Sequence, residues 1–163
     1  MAPVVLAISL IFFAFMQATV FPSSDLVGIY PDVTLVIILV WSAVRGVRDG
    51  LIWAFLVGIL LDTLALDPLG GNALALLPVV LLGALSGRAF FQSNLIVPIV
   101  ACVAATFLHA FVLLLVRSAG GESISIAPLL RIIMLQTILN VMIVPPIYVI
   151  GSLAQKPVSS RNV

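Results

Sequence analysis

Few side chains in this chain can do chemistry, and those that can are set inside long apolar runs. Asp62 is the sharpest signal, because a carboxylate in hydrocarbon costs several kcal/mol unless it is paired, protonated or hydrated. It follows Gly58-Ile-Leu-Leu and lies about one helical turn before the break at Asp67-Pro68-Leu-Gly70. Arg131 stands at comparable depth near the start of the last apolar run, so an Asp62–Arg131 ion pair is one reading and a carboxylate capping the following turn is the other. His109, the single histidine, has no second ligand at metal spacing, and its default role is a helix–helix hydrogen bond. Gln136 and Asn140, one turn apart, form a polar stripe suited to the same work. Cys102, the single cysteine, cannot form an internal disulfide and reads as a small packing residue. No nucleophile elbow, zinc spacing, phosphate loop or pair of nearby carboxylates is present. The expectation is a non-enzymatic chain with no metal and no cofactor.

The elements that must position these groups follow from composition. Of 163 residues, 63% are apolar and 8% charged, against about 25% charged in soluble domains. An integral membrane protein is the consequence. The net charge of +1, with Lys and Arg scattered over several loops, excludes a nucleic-acid partner. A membrane-spanning helix needs about 20 apolar residues, fewer when it is packed among others. Six segments qualify, at about 3–21, 31–44, 50–66, 72–87, 95–116 and 128–151. The expected fold is all-α, a compact bundle of six transmembrane helices in one domain over 1–155, with 156–163 a short disordered tail. The first apolar run has no basic n-region and is expected to stay as the first span.

Punctuation between the spans is physical. Pro31 and Asp32 open the second, with the acid facing the positive helix end. Asp67, Pro68 and Gly70 form the turn between the third and fourth. Pro145-Pro146 is expected to kink or end the last helix. On the third span Gly50, Ala54, Gly58 and Asp62 recur every fourth residue, which makes a ridge of small side chains capped by an acid. Gly83 and Gly87 repeat the device on the fourth, as do Ala101, Ala105 and His109 on the fifth. Such ridges serve packing inside the bundle or a partner helix, and internal packing is the favoured reading.

Orientation follows from the cations. A cytoplasmic N-terminus puts Arg45, Arg48, Arg88, Lys156 and Arg161 inside and Arg117 and Arg131 outside. Five against two favours both termini in the cytoplasm.

The order Tyr30-Pro31-Asp32, Trp41-Ser-Ala-Val-Arg45-Gly46, Arg48-Asp49-Gly50, Gly58-Ile-Leu-Leu-Asp62 and Asp67-Pro68-Leu-Gly70 resembles the rod shape-determining protein MreD family. Leu139-Asn140 followed by Pro145-Pro146-Ile-Tyr148 is similar to that family's last helix. A departure is Ala65-Leu66-Asp67, where the family pattern has a small Ser-Gly pair. The resemblance implies a scaffold subunit of the bacterial elongation machinery, or elongasome, in the cytoplasmic membrane. Its expected partner is MreC, through the membrane helix and the extracytoplasmic region. RodA, its transpeptidase partner and MreB are expected indirectly, in the service of lateral peptidoglycan synthesis. The family fold is similar to the substrate-binding subunits of energy-coupling-factor vitamin transporters, which supplies the alternative function. Short outer loops without tryptophan and with Tyr30 as their one tyrosine disfavour that alternative.

Overall fold

The computed structural model describes residues 2–20, 30–65, 69–92, 95–121 and 126–154 of the chain. These form six α-helices, and no strand occurs among them. Helix α1 covers Ala2–Phe15 and continues as a π-helical segment, Met16–Val20. Then come α2 (Val33–Arg45), α3 (Val47–Ala65), α4 (Gly71–Gln92), α5 (Ile96–Ala119) and α6 (Ile126–Ala154). Asp67, Pro68, Glu122 and the tail lie outside the described residues.

Helix starts and stops have local causes. Asp32 is the N-cap of α2, and its Oδ1 accepts from the Leu35 N–H at 2.9 Å. Pro31 therefore precedes the cap, and the helix begins two residues later than the proline alone suggests. Gly46 ends α2 with φ 88° and donates its N–H to the Ser42 carbonyl at 2.8 Å. A left-handed residue there lets α3 begin at once. Helix α4 runs past Gly87 to Gln92, because Arg, Ala, Phe and Gln contain no helix breaker and polarity alone does not stop a helix. Helix α6 continues through Pro145-Pro146 to Ala154. Of the two expected outcomes, a kink or an end, the helix does not end there: neighbouring groups and local adjustment can accommodate the two lost donors.

Helix α4 is the hub, packed on α2, α3 and α5, while α5 and α2 also touch α6. Close approach depends on absent side chains. A Cβ at Gly58 would overlap the Ala73 backbone of α4, and one at Gly83 would overlap the Leu39 carbonyl of α2. Gly50 faces Ser42 and Val80, and Gly87 faces the Ala43 carbonyl. The small-residue ridges of α3 and α4 are thus occupied by helices of the same chain, and Ala54 is fully buried beside them.

The distribution of polarity is inverted relative to a soluble protein. Asp32, Thr34, Ser42, Asp62, Thr106, His109, Thr137 and Asn140 are buried, whereas Ile8, Phe12, Phe55, Leu85, Val100, Phe111, Ile138 and Met142 are exposed. An apolar exterior of that extent suits hydrocarbon, not water. Among the described residues two helices are long and apolar enough to cross a membrane, within Ile96–Ala119 and Ala127–Ile150, and three shorter apolar helices accompany them. At 13 residues, α2 is about 20 Å long. It is short of a bilayer's roughly 30 Å core, and its interior-facing residues from Val33 to Ala43 are buried.

Candidate functional site

One end of the bundle gathers the polar groups. There the π-helical segment, the start of α2, the end of α3, the start of α4, the second half of α5 and the first half of α6 surround a cavity of about 610 Å³. Gln17, Tyr30, Asp32, Asn72, His109, Arg117 and Gln136 line it, interleaved with leucines, isoleucines and alanines. Arg45 and Arg48 belong to the other end, and the Arg45 guanidinium sits 5.4 Å from the centre of the Trp41 ring.

Asp62 is held by the turn that follows its own helix. Its Oδ2 accepts from the Gly70 N–H at 2.7 Å, and its Oδ1 accepts from the Asn72 backbone N–H at 2.9 Å and from Asn72 Nδ2 at 2.8 Å. Helix α4 begins at Gly71, so the carboxylate caps its positive end with three donors. Gly70 takes φ 93° to aim its amide, which glycine does without strain. Arg131 is exposed and makes no ion pair with Asp62. Of the two readings of Asp62, the geometry realises the cap. Similar depth in two helices places neither side chain toward the other.

A second cluster joins three helices. The Asp32 N–H donates to Asn140 Oδ1 at 2.7 Å, and Asn140 Nδ2 donates to Thr106 Oγ1 at 3.0 Å. Thr106 Oγ1 in turn donates to the Cys102 carbonyl at 2.9 Å. Each amide end of Asn140 is therefore used, as a fully buried amide requires. His109, one turn beyond Thr106 on α5, brings Nδ1 to 3.8 Å from Asp32 Oδ2. Its Nε2 is buried and has no hydrogen-bond partner. Beside them Thr34 Oγ1 donates to Gln17 Oε1 at 3.1 Å, tying α2 to the π-helical segment.

The sequence-derived candidates thus divide. Asp32, His109 and Asn140 come together, and Gln136 lines the cavity above them. Asp62 lies apart, linked through Asn72 to the cavity wall, and Arg131 joins neither group. Thr106, Asn72, Gln17 and Thr34 did not stand out in the sequence. Thr106 carried a signal all the same, since it precedes His109 by three residues in the otherwise apolar run from Ile96 to Val116 and so shares its face. Among the described residues no group of three or more His, Cys, Asp or Glu could hold a metal ion.

The family model described as rod shape-determining protein MreD matches residues 1–153. The chain belongs to the MreD family. That family is one of membrane proteins that determine rod shape, and it is a structural protein family. Neither a curated protein nor a solved structure matches the chain. In MreD terms, the motifs around Asp32, Arg45, Asp62 and Gly70 are the caps, turn and helix stops just described.

Proposed function

We propose that this MreD chain is a multi-pass scaffold of the cytoplasmic membrane that binds the single membrane helix of MreC, with both termini cytoplasmic. Through MreC it serves the elongasome, with RodA, its transpeptidase partner and MreB, and so lateral peptidoglycan synthesis. The family match over 1–153 carries the reading. Asp62, Asp32, Asn140 and Thr106 are spent on caps and helix–helix bonds, which accords with a scaffold.

The surface offers a place for the partner helix. Between the second half of α4 and the start of α5 lies an apolar groove of about 410 Å³, lined by Leu85, Ser86, Ile96, Val100, Ala101 and Ala104. Leu85 is 83% exposed there, and the small residues beside it let another backbone come near. Arg45 and Arg48, at the α2–α3 end, accord with that end being cytoplasmic.

Co-purification from detergent tests the reading, with Leu85→Cys cross-linked to cysteines placed along the MreC helix. Recovery of MreC and cross-links at one helical period are expected. Failure to recover MreC, together with stoichiometric capture of a vitamin, would instead favour a substrate-binding subunit of an energy-coupling-factor transporter, a reading that the 610 Å³ cavity keeps in play.

A further inference from the structure

The cavity at the polar end is half open, and the polar side chains on its wall differ in what they already hold. Both of its charged groups are engaged: Asp32 Oδ1 accepts from the Leu35 N–H and Oδ2 lies 3.8 Å from His109 Nδ1, while Arg117 has a partner within the chain. His109 Nε2 is shut off from the space by burial. Three carboxamides remain, Gln17, Asn72 and Gln136, each half-buried and so within reach of an occupant. Gln17 Oε1 accepts from the Thr34 hydroxyl, which leaves the N–H donors of Nε2 unused. Asn72 Nδ2 donates to Asp62, which leaves Oδ1 as an acceptor. Gln136 makes no hydrogen bond to a described residue, so its amide offers both functions.

We propose that the cavity binds a neutral sugar ring, whose hydroxyls accept from Gln17 Nε2, donate to Asn72 Oδ1 and do both with Gln136. The three carboxamides come from the π-helical segment, α4 and α6, and present donors, an acceptor and a mixed group around one space. An amide ligand carries its donor and acceptor at fixed ends, whereas a hydroxyl turns to do either. Several hydroxyls on one rigid frame therefore suit the set. Leu113, Leu129, Ile132 and Ile133 give the C–H face of that frame an apolar wall. With both wall charges already engaged, an ionic group entering the site would lack a counter-charge, which favours a neutral one. The volume of about 610 Å³ lies within the roughly 300–1,000 Å³ of small-molecule sites. Its open side leaves room for a chain attached to the ring, so a glycolipid headgroup and a free saccharide share the decisive chemistry. The inference goes beyond the scaffold reading and does not rest on MreC, because the cavity and the α4–α5 groove share no lining residue.

Native mass spectrometry of the full chain tests it in a polyoxyethylene detergent, which carries no sugar to compete. The probes are glucosyl diacylglycerol, phosphatidylcholine and diacylglycerol of the same acyl chains, and methyl glucoside alone. One glucosyl lipid per chain is expected, about tenfold tighter than the other two lipids, as one or two well-made hydrogen bonds allow. Displacement of the glucosyl lipid by methyl glucoside at similar concentration identifies a free saccharide as the source; retention against it identifies the lipid headgroup. Gln136→Leu removes an amide that bonds to nothing else described, and it is expected to reduce the preference to about twofold or less. Leu85→Cys, in the α4–α5 groove, is expected to keep the preference, and recovery of MreC is scored separately. Equal binding of the three lipids without binding of methyl glucoside overturns the proposal, as does an undiminished preference in Gln136→Leu. Should that variant fail to fold, the ranking of the probes by the wild-type chain decides.

Discussion

Asp32 and Asn140 stand 108 residues apart, yet the N–H of the first donates to the side-chain oxygen of the second at 2.7 Å. That N–H belongs to the N-cap of α2 and has no partner within its own helix. A residue in the middle of α6 therefore completes the start of α2, and through Thr106 it also binds α5. Three helices that pack by apolar contact elsewhere are put in register here by one amide.

Replacing Asn140 with Leu should remove both bonds and leave the Asp32 N–H buried without an acceptor. A loss of about 2–3 kcal/mol is expected from an unsatisfied buried donor together with the bond to Thr106. Thermal unfolding in detergent measures it. A double-mutant cycle with Thr106→Val should show coupling between the two positions of about 1 kcal/mol, and additive losses would mean that their hydrogen bond contributes nothing.

Asp62 and Arg131 should behave as strangers. Asp62→Leu strands the amides of Gly70 and Asn72 at the start of α4, with an expected loss of about 3 kcal/mol. Arg131→Leu, on an exposed position, should move stability by about 0.5 kcal/mol or less. Equal losses in the two variants, or a marked loss on changing Arg131, would restore the ion pair.

The contact of α3 with α4 depends on the missing side chain of Gly58. Gly58→Val drives two methyl groups into the Ala73 backbone and is expected to cost at least about 3 kcal/mol or to abolish folding, at the upper end of overpacking losses. Gly83→Val, against the Leu39 carbonyl, should act similarly on the α2–α4 contact. Gly46→Ala is the control: nothing lies within 4 Å of the added carbon, and its φ of 88° predicts a strain loss of about 1 kcal/mol. Expression yield and melting temperature in one detergent rank the three, and parity between Gly58→Val and Gly46→Ala would refute the packing argument.

Sequence by itself determined the helical class, the number of apolar segments and most of their ends. Hydrocarbon composition leaves helices as the way to satisfy the backbone, and Pro31, Asp32, Gly46 and Gly70 mark boundaries through their own allowed conformations. It also showed Asp62 to need a partner and offered the correct one, the following turn, beside an incorrect one, Arg131. The choice lay beyond it because periodicity reports depth along an axis and which residues share a face, not where that face points. Six helices can be rotated and arranged in many ways that keep each residue at its depth. Only the packed bundle, with α4 drawn onto α2 and α3 at Gly83 and Gly58, decided the rotations. Those rotations brought Asp32, Thr106, His109 and Asn140 to one point and left Arg131 outside.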